Sequence, residues 1–156
     1  MRTLVLIRHA KSDWGNPGTP DHDRPLNERG LRDGPVMAQR LRAAGTMLDA
    51  IVASTALRAR TTAGFFGDAL GLTPELRTDL YGASPRTLLA VAASSGADRV
   101  ALVAHDPGMT ALAGRLSGGG IAAMPTCAVA TFRWDAEGWD IATAIDPDAW
   151  SFDSPR

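Results

Sequence analysis

Two apolar runs in this chain each end in a histidine, and this limits the folds open to it. Leu4-Val5-Leu6-Ile7 is followed by Arg8 and His9, and Val100-Ala101-Leu102-Val103-Ala104 is followed by His105. Short apolar runs of this kind are typical of buried strands. The carboxyl ends of parallel strands meet at the edge of the sheet where α/β proteins bind their ligands. We therefore expect both histidines to lie at the same edge.

The composition is compatible with a globular enzyme and argues against a protein that binds nucleic acid or a membrane. The 156 residues suit one domain, and 16 basic against 17 acidic residues give a net charge of -1. This balance predicts no nucleic-acid partner and no membrane partner. Cys127 is the only cysteine, so no internal disulfide forms, and we expect a core thiol. The first apolar run is too short for a leader or a membrane span, which favours a cytoplasmic protein.

The order of strands and helices predicts a single α/β domain over residues 1–156. Predicted strands cover Thr3 to Arg8, Ala50 to Ala53, Arg99 to Ala104, Ala128 to Trp134 and Trp139 to Ala144. Predicted helices lie at 31–48, 55–70, 84–96 and 107–116. The last two strands read as a hairpin around Glu137-Gly138, so we expect a largely parallel mixed sheet. Residues 146–156 are predicted to be a polar surface tail.

Proline and capping residues predict where three of the helices begin. Gly34-Pro35 is expected to kink or restart the first helix, with Asp33 as the N-cap of the second piece. Ser84-Pro85 combines an N-cap with a proline at the first helical position. Asp106-Pro107 has the same form directly after His105.

An oxyanion is the ligand that the next segment suggests. Between the two histidine strands, Ser54 to Thr62 brings a strand end, hydroxyl groups and Arg58 in the first turn of a helix. Helix N-termini attract anions, and a guanidinium offers phosphate a planar pair of donors. Arg24, in the loop after the first strand, is placed to close the pocket from the other side. Alternatively, Arg8 and Arg58 form surface ion pairs and His105 is a core histidine.

These segments resemble, in order, the motifs of the histidine phosphatase superfamily, and most closely its small SixA-type phosphohistidine phosphatases. Arg8-His9 resembles the RHG signature, and Arg24-Pro25-Leu26 resembles the R-P-L segment. The stretch from Ser54 to Thr62 is similar to S-P-x-x-R-A-x-x-T, and His105 resembles the second histidine. The resemblance implies the phosphoglycerate mutase-like fold, a three-layer α/β/α sandwich. The chain departs from these motifs at Ala10, where glycine is usual, and at Thr55, where proline is usual.

The resemblance implies a phosphatase that works through a covalent phosphohistidine on His9, without a metal or cofactor. Arg8, Arg58, Arg24 and His105 would hold the phosphoryl oxygens. Ser54 of the motif would belong to the substrate-binding set.

The general acid is the least defined part of the predicted site. Many relatives carry a glutamate after the second helix, and Asp79 is the best candidate here, against a solvated turn carboxylate. Phosphohistidine makes less demand on a general acid than an alkyl ester, because an imidazole protonated on its far nitrogen leaves as a neutral ring. The chain also has little room for a lid between Arg58 and His105. Both points favour a phosphorylated partner protein as substrate.

Several alternatives stay open at this stage. A small phosphate ester is the nearest rival substrate, and a phosphate-binding module without turnover is the rival class. A mutase is disfavoured, because it must enclose its intermediate. The loop from Lys11 to Asp23 borders the pocket, and Trp14 is a candidate substrate contact. His22 between two aspartates suggests a metal site, but the spacing fits a solvated acidic loop better.

Overall fold

The computed structural model describes residues 1–156 and contains one six-stranded mixed sheet. The strands are β1 (Arg2–Arg8), β2 (Ala50–Ser54), β3 (Glu75–Arg77), β4 (Arg99–Ala104), β5 (Val129–Trp134) and β6 (Ala149–Asp153). Their spatial order is β3-β2-β4-β1-β5-β6. The first four pair in parallel, while β5 runs antiparallel to both β1 and β6. The expected mixed, largely parallel sheet is confirmed.

Helices cover both faces of the sheet, which confirms the three-layer α/β/α sandwich. They are α1 (Glu28–Ala43), α2 (Leu57–Leu70), α3 (Pro85–Ala93), α4 (Gly108–Leu116) and α5 (Trp139–Ala142). Alternate residues of β1 point to opposite faces. Val5 and Ile7 pack with α1 and α2, and Leu4 and Leu6 pack with the other three helices. None of the helices is long and apolar enough to cross a membrane.

Pairing of β1 with β4 aligns the two strand ends that precede the histidines. The register sets Arg8 opposite Ala104, the last residue of each strand. One more backbone hydrogen bond extends the ladder, since the His9 N–H donates to the Ala104 carbonyl at 3.1 Å. His9 and His105 therefore leave the sheet side by side.

The predicted C-terminal hairpin is wrong. Residues 139–142 form the short helix α5, and the partner of β5 is β6, within the segment predicted to be a polar surface tail. Trp139 and Ala142 are the buried residues of α5, three positions apart, and this is a helical spacing. Trp150 and Phe152 stand two apart on β6 and stay partly exposed. The predicted strand from Trp139 to Ala144 has only six residues, which are too few to distinguish a helical period from a strand period.

The first helix continues through Pro35 instead of restarting there. Its N-cap is Asn27, whose side chain accepts the Gly30 N–H at 2.9 Å, so Asp33 caps nothing. Pro35 and Leu31 lie on the solvent side, where a carbonyl without a helical partner can bond to water. The proline is therefore accommodated without breaking α1.

Caps at the other two helices follow the predicted residues with one shift. Ser84 caps α3 as expected and accepts the Thr87 N–H. Helix α4 begins one residue later than predicted, at Gly108, with Pro107 as N-cap. The Asp106 carboxylate still bonds to the Thr110 N–H at 2.9 Å.

Close packing of α1 on α2 depends on the absence of a side chain at Gly34. A Cβ there would lie 2.4 Å from Cδ2 of Phe65. We expect Gly34→Ala to lower the free energy of unfolding by about 1 to 3 kcal/mol, as overpacking does. Gly64→Ala is the matched control, because a Cβ at Gly64 meets nothing within 4 Å. It should raise stability by about 0.5 to 1 kcal/mol through helix propensity. Urea unfolding measures both, and equal effects would contradict this packing.

Candidate active site

His9 lies buried at the carboxyl end of β1 with one ring nitrogen held by the backbone. Its Nδ1 is 2.8 Å from the Ala10 carbonyl oxygen. A carbonyl only accepts, so Nδ1 carries the hydrogen and Nε2 keeps its lone pair. Burial lowers the pKa of His9 to about 3, and His105, Arg58 and Arg8 add to the lowering. The ring is thus neutral at physiological pH, with a free lone pair on Nε2.

His105 faces His9 across a short gap. The ring centroids are 5.1 Å apart, and the planes are inclined at 54°. The Ser54 hydroxyl lies 2.7 Å from His105 Nε2 and accepts the Ala56 N–H as well. Burial lowers the pKa of His105 to about 4, and Arg58 contributes to the same shift. Ser54 is fully buried, so its position suits support of this ring better than the predicted contact with substrate.

Arg58 extends from the first turn of α2 into the same region and is almost fully buried. Its two terminal nitrogens donate to Asp21: Nη1 to the backbone oxygen at 2.7 Å and Nη2 to Oδ2 at 3.0 Å. The Asp21 carboxylate therefore gives Arg58 an anionic partner within the protein, although Arg58 was predicted to bind an anionic ligand.

Arg8 approaches from β1 and is held on its far side. Its Nη1 donates to the Met124 carbonyl at 2.9 Å and lies 3.5 Å from an oxygen of Asp106. Three buried nitrogen atoms of the site have no hydrogen-bond partner in the protein: Arg8 Nε, Arg58 Nε and His105 Nδ1. Buried donors of this kind normally have a partner, so the site is chemically suited to a ligand that brings acceptor oxygens.

Arg24 is buried, but its guanidinium is occupied by the loop that precedes α1. It donates to Ser12 Oγ at 2.6 Å and to Asp21 Oδ1 at 3.1 Å. The Trp14 ring covers it, with 3.4 Å between the guanidinium carbon and the ring centroid. Trp14 itself is 69% exposed. Arg24 thus joins the site through Asp21, and Trp14 forms part of its outer rim.

Sequence reasoning missed two side chains that the fold brings to this rim, Tyr81 and Asp21. The Tyr81 hydroxyl donates to Asp21 Oδ2, and its ring meets His105 edge-on with 5.4 Å between centroids. Hydrogen bonds from Tyr81, Arg58 and Arg24 hold the pKa of Asp21 well below its usual range. Neither residue lies at a strand end that carries a histidine. The available signal was the position of Asp21 three residues before Arg24.

His22 also reaches the rim, in a hydrogen-bonded position. Its Nε2 lies 2.8 Å from the Thr55 hydroxyl, and its ring meets Tyr81 edge-on at 5.1 Å. Thr55, the residue that replaces the usual proline, thereby ties the loop to the start of α2. No group of three or more His, Cys, Asp or Glu side chains is arranged to hold a metal ion.

Asp79 is paired with Arg77 and not with either histidine. Its carboxylate takes two hydrogen bonds from Arg77, at 2.7 and 3.1 Å, in an exposed pair. Neither a hydrogen bond nor an ion pair joins it to His9 or His105. This placement argues against the prediction that Asp79 donates a proton to the leaving group.

Backbone contacts lock the end of β1 in place. The Thr62 hydroxyl accepts the Ala10 N–H at 3.0 Å and donates to the Arg58 carbonyl at 2.7 Å, so it links the segment after β1 to α2. The Cys127 N–H bonds to the carbonyls of Arg8 and His9. Cys127 is fully buried, which confirms the core thiol, and burial raises its pKa to about 12. Cys127 is the only non-glycine residue with a positive φ. The backbone at Ala10 is therefore in a conformation that does not require the glycine usual at this position.

Comparison with known proteins identifies the family. The model of the histidine phosphatase superfamily, branch 1, matches residues 4–82. The chain belongs to this superfamily. An uncharacterized protein of Mycobacterium tuberculosis is 38% identical over 109 residues, which are 69% of this chain and 67% of the relative.

Solved structures with the same fold include proteins named SixA. One, provisionally named phosphohistidine phosphatase SixA from Agrobacterium tumefaciens, is 28% identical, with a TM-score of 0.81 over 99% of both chains. Another, the protein histidine phosphatase SixA complexed with tungstate, has a TM-score of 0.75 over 97% of this chain and 94% of its own. At 22% identity the second comparison shows the common fold.

The rings of His9 and His105 should remain neutral at pH values well below the usual titration range of histidine. We expect ¹⁵N-detected NMR to show His9 and His105 titrating with midpoints below pH 5, and His9 in its Nδ1–H tautomer above that. Between pH 6.5 and the lowered pKa values the unfolded chain binds protons that the folded chain does not, so stability should fall as the pH falls. A midpoint near pH 6.5 for His9 would contradict the site described above.

Proposed function

We propose that this protein is a phosphatase that forms a covalent phosphohistidine on His9 and takes its phosphoryl group from a phosphohistidine of a partner protein. The observation that carries the proposal is the His9 ring, which is neutral, fixed in its tautomer and surrounded by cationic side chains. Membership of the histidine phosphatase superfamily supports the same activity.

The cations around His9 serve two purposes in this proposal. Arg8 and Arg58 help to keep the His9 ring unprotonated, because a second positive charge beside them is unfavourable. They also offer donors to the equatorial phosphoryl oxygens, where charge is spread in the transition state. Their unpartnered Nε–H groups and His105 Nδ1 are suited to that task. In this proposal the Ser54 hydroxyl donates to His105 Nε2, so that the hydrogen of His105 is on Nδ1, the ring nitrogen that has no partner in the protein.

The first chemical step transfers the phosphoryl group between two imidazoles. The lone pair of His9 Nε2 forms a bond to phosphorus while the P–N bond of the substrate breaks and its electron pair returns to the substrate ring. Each ring keeps the hydrogen on its far nitrogen, so the leaving imidazole is neutral. His9 keeps its hydrogen because the Ala10 carbonyl accepts it. This step requires no proton from Asp79.

Water completes the cycle. Its oxygen forms a bond to phosphorus, the bond to His9 Nε2 breaks, and the electron pair returns to the ring. The product leaves as dihydrogen phosphate with both protons of the water, and then equilibrates with solvent. Dividing the reaction in this way replaces one difficult step by two easier ones.

An open rim supports a protein as the source of the phosphoryl group. Trp14 and Tyr81 are exposed, and a shallow cavity of about 310 Å³ lies beside Asp21 and Arg24, lined also by Asn16, Pro17 and Thr19. A histidine displayed on a folded partner can reach such a site, whereas a deep pocket would exclude it. The likeness to SixA structures points in the same direction. A small phosphate ester is the second candidate, since the same opening admits it.

Replacing the nucleophile tests the proposal. We expect His9→Ala to reduce phosphate release from a phosphohistidine-bearing protein by at least about 10³-fold, as loss of a covalent nucleophile does. Wild type should prefer that substrate to p-nitrophenyl phosphate in kcat/KM. Unchanged binding of inorganic phosphate by His9→Ala serves as the control for an intact site. Phosphate binding by wild type without turnover of either substrate would make the protein a binding module instead.

A further inference from the structure

The Asp21 carboxylate occupies a defined place at the mouth of the site. Oδ1 accepts from Arg24 Nε, and Oδ2 accepts from Arg58 Nη2 and from the Tyr81 hydroxyl. A carboxylate has about four acceptor positions, so one position on Oδ1 remains free. The side chain is 48% exposed, and an incoming group can reach it.

Phosphoryl transfer sets the direction from which the leaving group departs. The attacking and leaving atoms are roughly in line with phosphorus. His9 lies at the buried floor of the site, with 7% of its surface exposed, so the leaving group must lie towards solvent. Asp21 and Tyr81 are the residues on that side, because they contact Arg58 and His105 from the exposed rim.

The rim also has a shape suited to a flat ring. Tyr81 meets both His22 and His105 edge-on, and Trp14 lies flat against Arg24 nearby. Aromatic side chains favour stacked or edge-to-face contact with another ring. An imidazole that enters between them would bring its N–H groups close to Asp21.

We propose that Asp21 binds the imidazole leaving group of the substrate and accepts a hydrogen bond from its far ring nitrogen. The carboxylate would thereby keep the phosphorylated ring protonated until the P–N bond breaks. This inference rests on the proposed function, and it names the residue that takes the place of a general acid. Asp21 would do for the substrate ring what the Ala10 carbonyl does for His9.

The proton and electrons balance without a further reactant. Before transfer, the substrate ring carries phosphorus on one nitrogen and hydrogen on the other. As His9 Nε2 bonds to phosphorus, the breaking P–N pair returns to the ring, which departs as neutral imidazole with its hydrogen still directed at Asp21. An ionised Asp21 is required, since a protonated carboxyl would lose the charge that stabilises a cationic ring, and its lowered pKa keeps it ionised.

Other charged or titratable groups around Asp21 bear on the pH dependence. They come from the loop itself, from α2, from the turn after β3 and from the end of β4: His22, Asp23, Arg24, Arg58, Tyr81 and His105. The two arginines disfavour a protonated substrate ring, so a carboxylate between them is needed to offset their effect. Tyr81 remains neutral, because its hydrogen bond to Asp21 raises its pKa.

The test compares Asp21→Asn with wild type on N-phosphoimidazole and on p-nitrophenyl phosphate from about pH 6 to pH 9. At saturating N-phosphoimidazole we expect equal kcat at the acid end, where the bound ring is protonated in both proteins. Towards pH 9 the variant should lose about tenfold in kcat, because kcat reports the pKa of the bound ring and one unit in that pKa is a tenfold change. On p-nitrophenyl phosphate, whose leaving group takes no proton, the ratio of variant to wild type should not change with pH.

Controls separate this role from a structural one. Asp23→Asn removes the same charge from the same turn at an exposed position and should behave as wild type. Inhibition by inorganic phosphate reports on the position of Arg58. Equal losses on both substrates at every pH would overturn the proposal in favour of simple positioning of the arginines. Equal gains would overturn it in favour of competition between Asp21 and the phosphoryl group.

Failure of the proposed function has a different signature. Wild type that hydrolyses p-nitrophenyl phosphate but not N-phosphoimidazole would overturn the role of Asp21 while leaving the His9 nucleophile in place. Turnover of neither small substrate would refute the proposed phosphatase and this inference together. Wild type that shows the expected N-phosphoimidazole profile but does not hydrolyse a phosphohistidine protein would support the role of Asp21 and exclude the protein substrate.

Discussion

Parallel pairing of β1 with β4 is the constraint on which the site depends. Because Arg8 and Ala104 are opposite each other in the ladder, His9 and His105 emerge as neighbours, with 5.1 Å between their rings. The same alignment puts Arg8 beside His9. Burying those strand ends also removes the rings from water, and this burial is the main reason that both stay neutral. The pairing of these two strands therefore determines both the position of the two histidines and their neutral state.

Charge is arranged around the histidines in two shells of opposite sign. Arg8 and Arg58 lie next to the neutral rings, where the phosphoryl group of the proposed substrate would bring negative charge. Asp21 lies further out, where its protonated imidazole would bring positive charge. A substrate that is anionic at phosphorus and cationic at its ring complements both shells, and an alkyl phosphate complements only the inner one. This order of charges is the physical reason to favour phosphohistidine over simple esters.

Sequence patterns predicted the parts of the site that lie at regular strand and helix ends. His9, His105 and Arg58 follow from apolar runs and a helix start, and the structure brings all three together. Asp21 and Tyr81 could not be found in this way, because an irregular loop and a short turn carry them across the fold. The C-terminal strand was missed for a related reason: its alternation of exposed aromatics has only two members, Trp150 and Phe152. Local periodicity identifies elements, but it does not say which loops converge.

Trapping the intermediate tests the central claim most directly. Wild type is mixed with a ³²P-labelled phosphohistidine protein, quenched with alkali within milliseconds, and digested for mass spectrometry. We predict a phosphoryl group on Nε2 of His9 that forms and decays at least as fast as kcat. Full turnover without label on His9, or with label on another residue, would show that phosphate is transferred directly to water or through a different nucleophile.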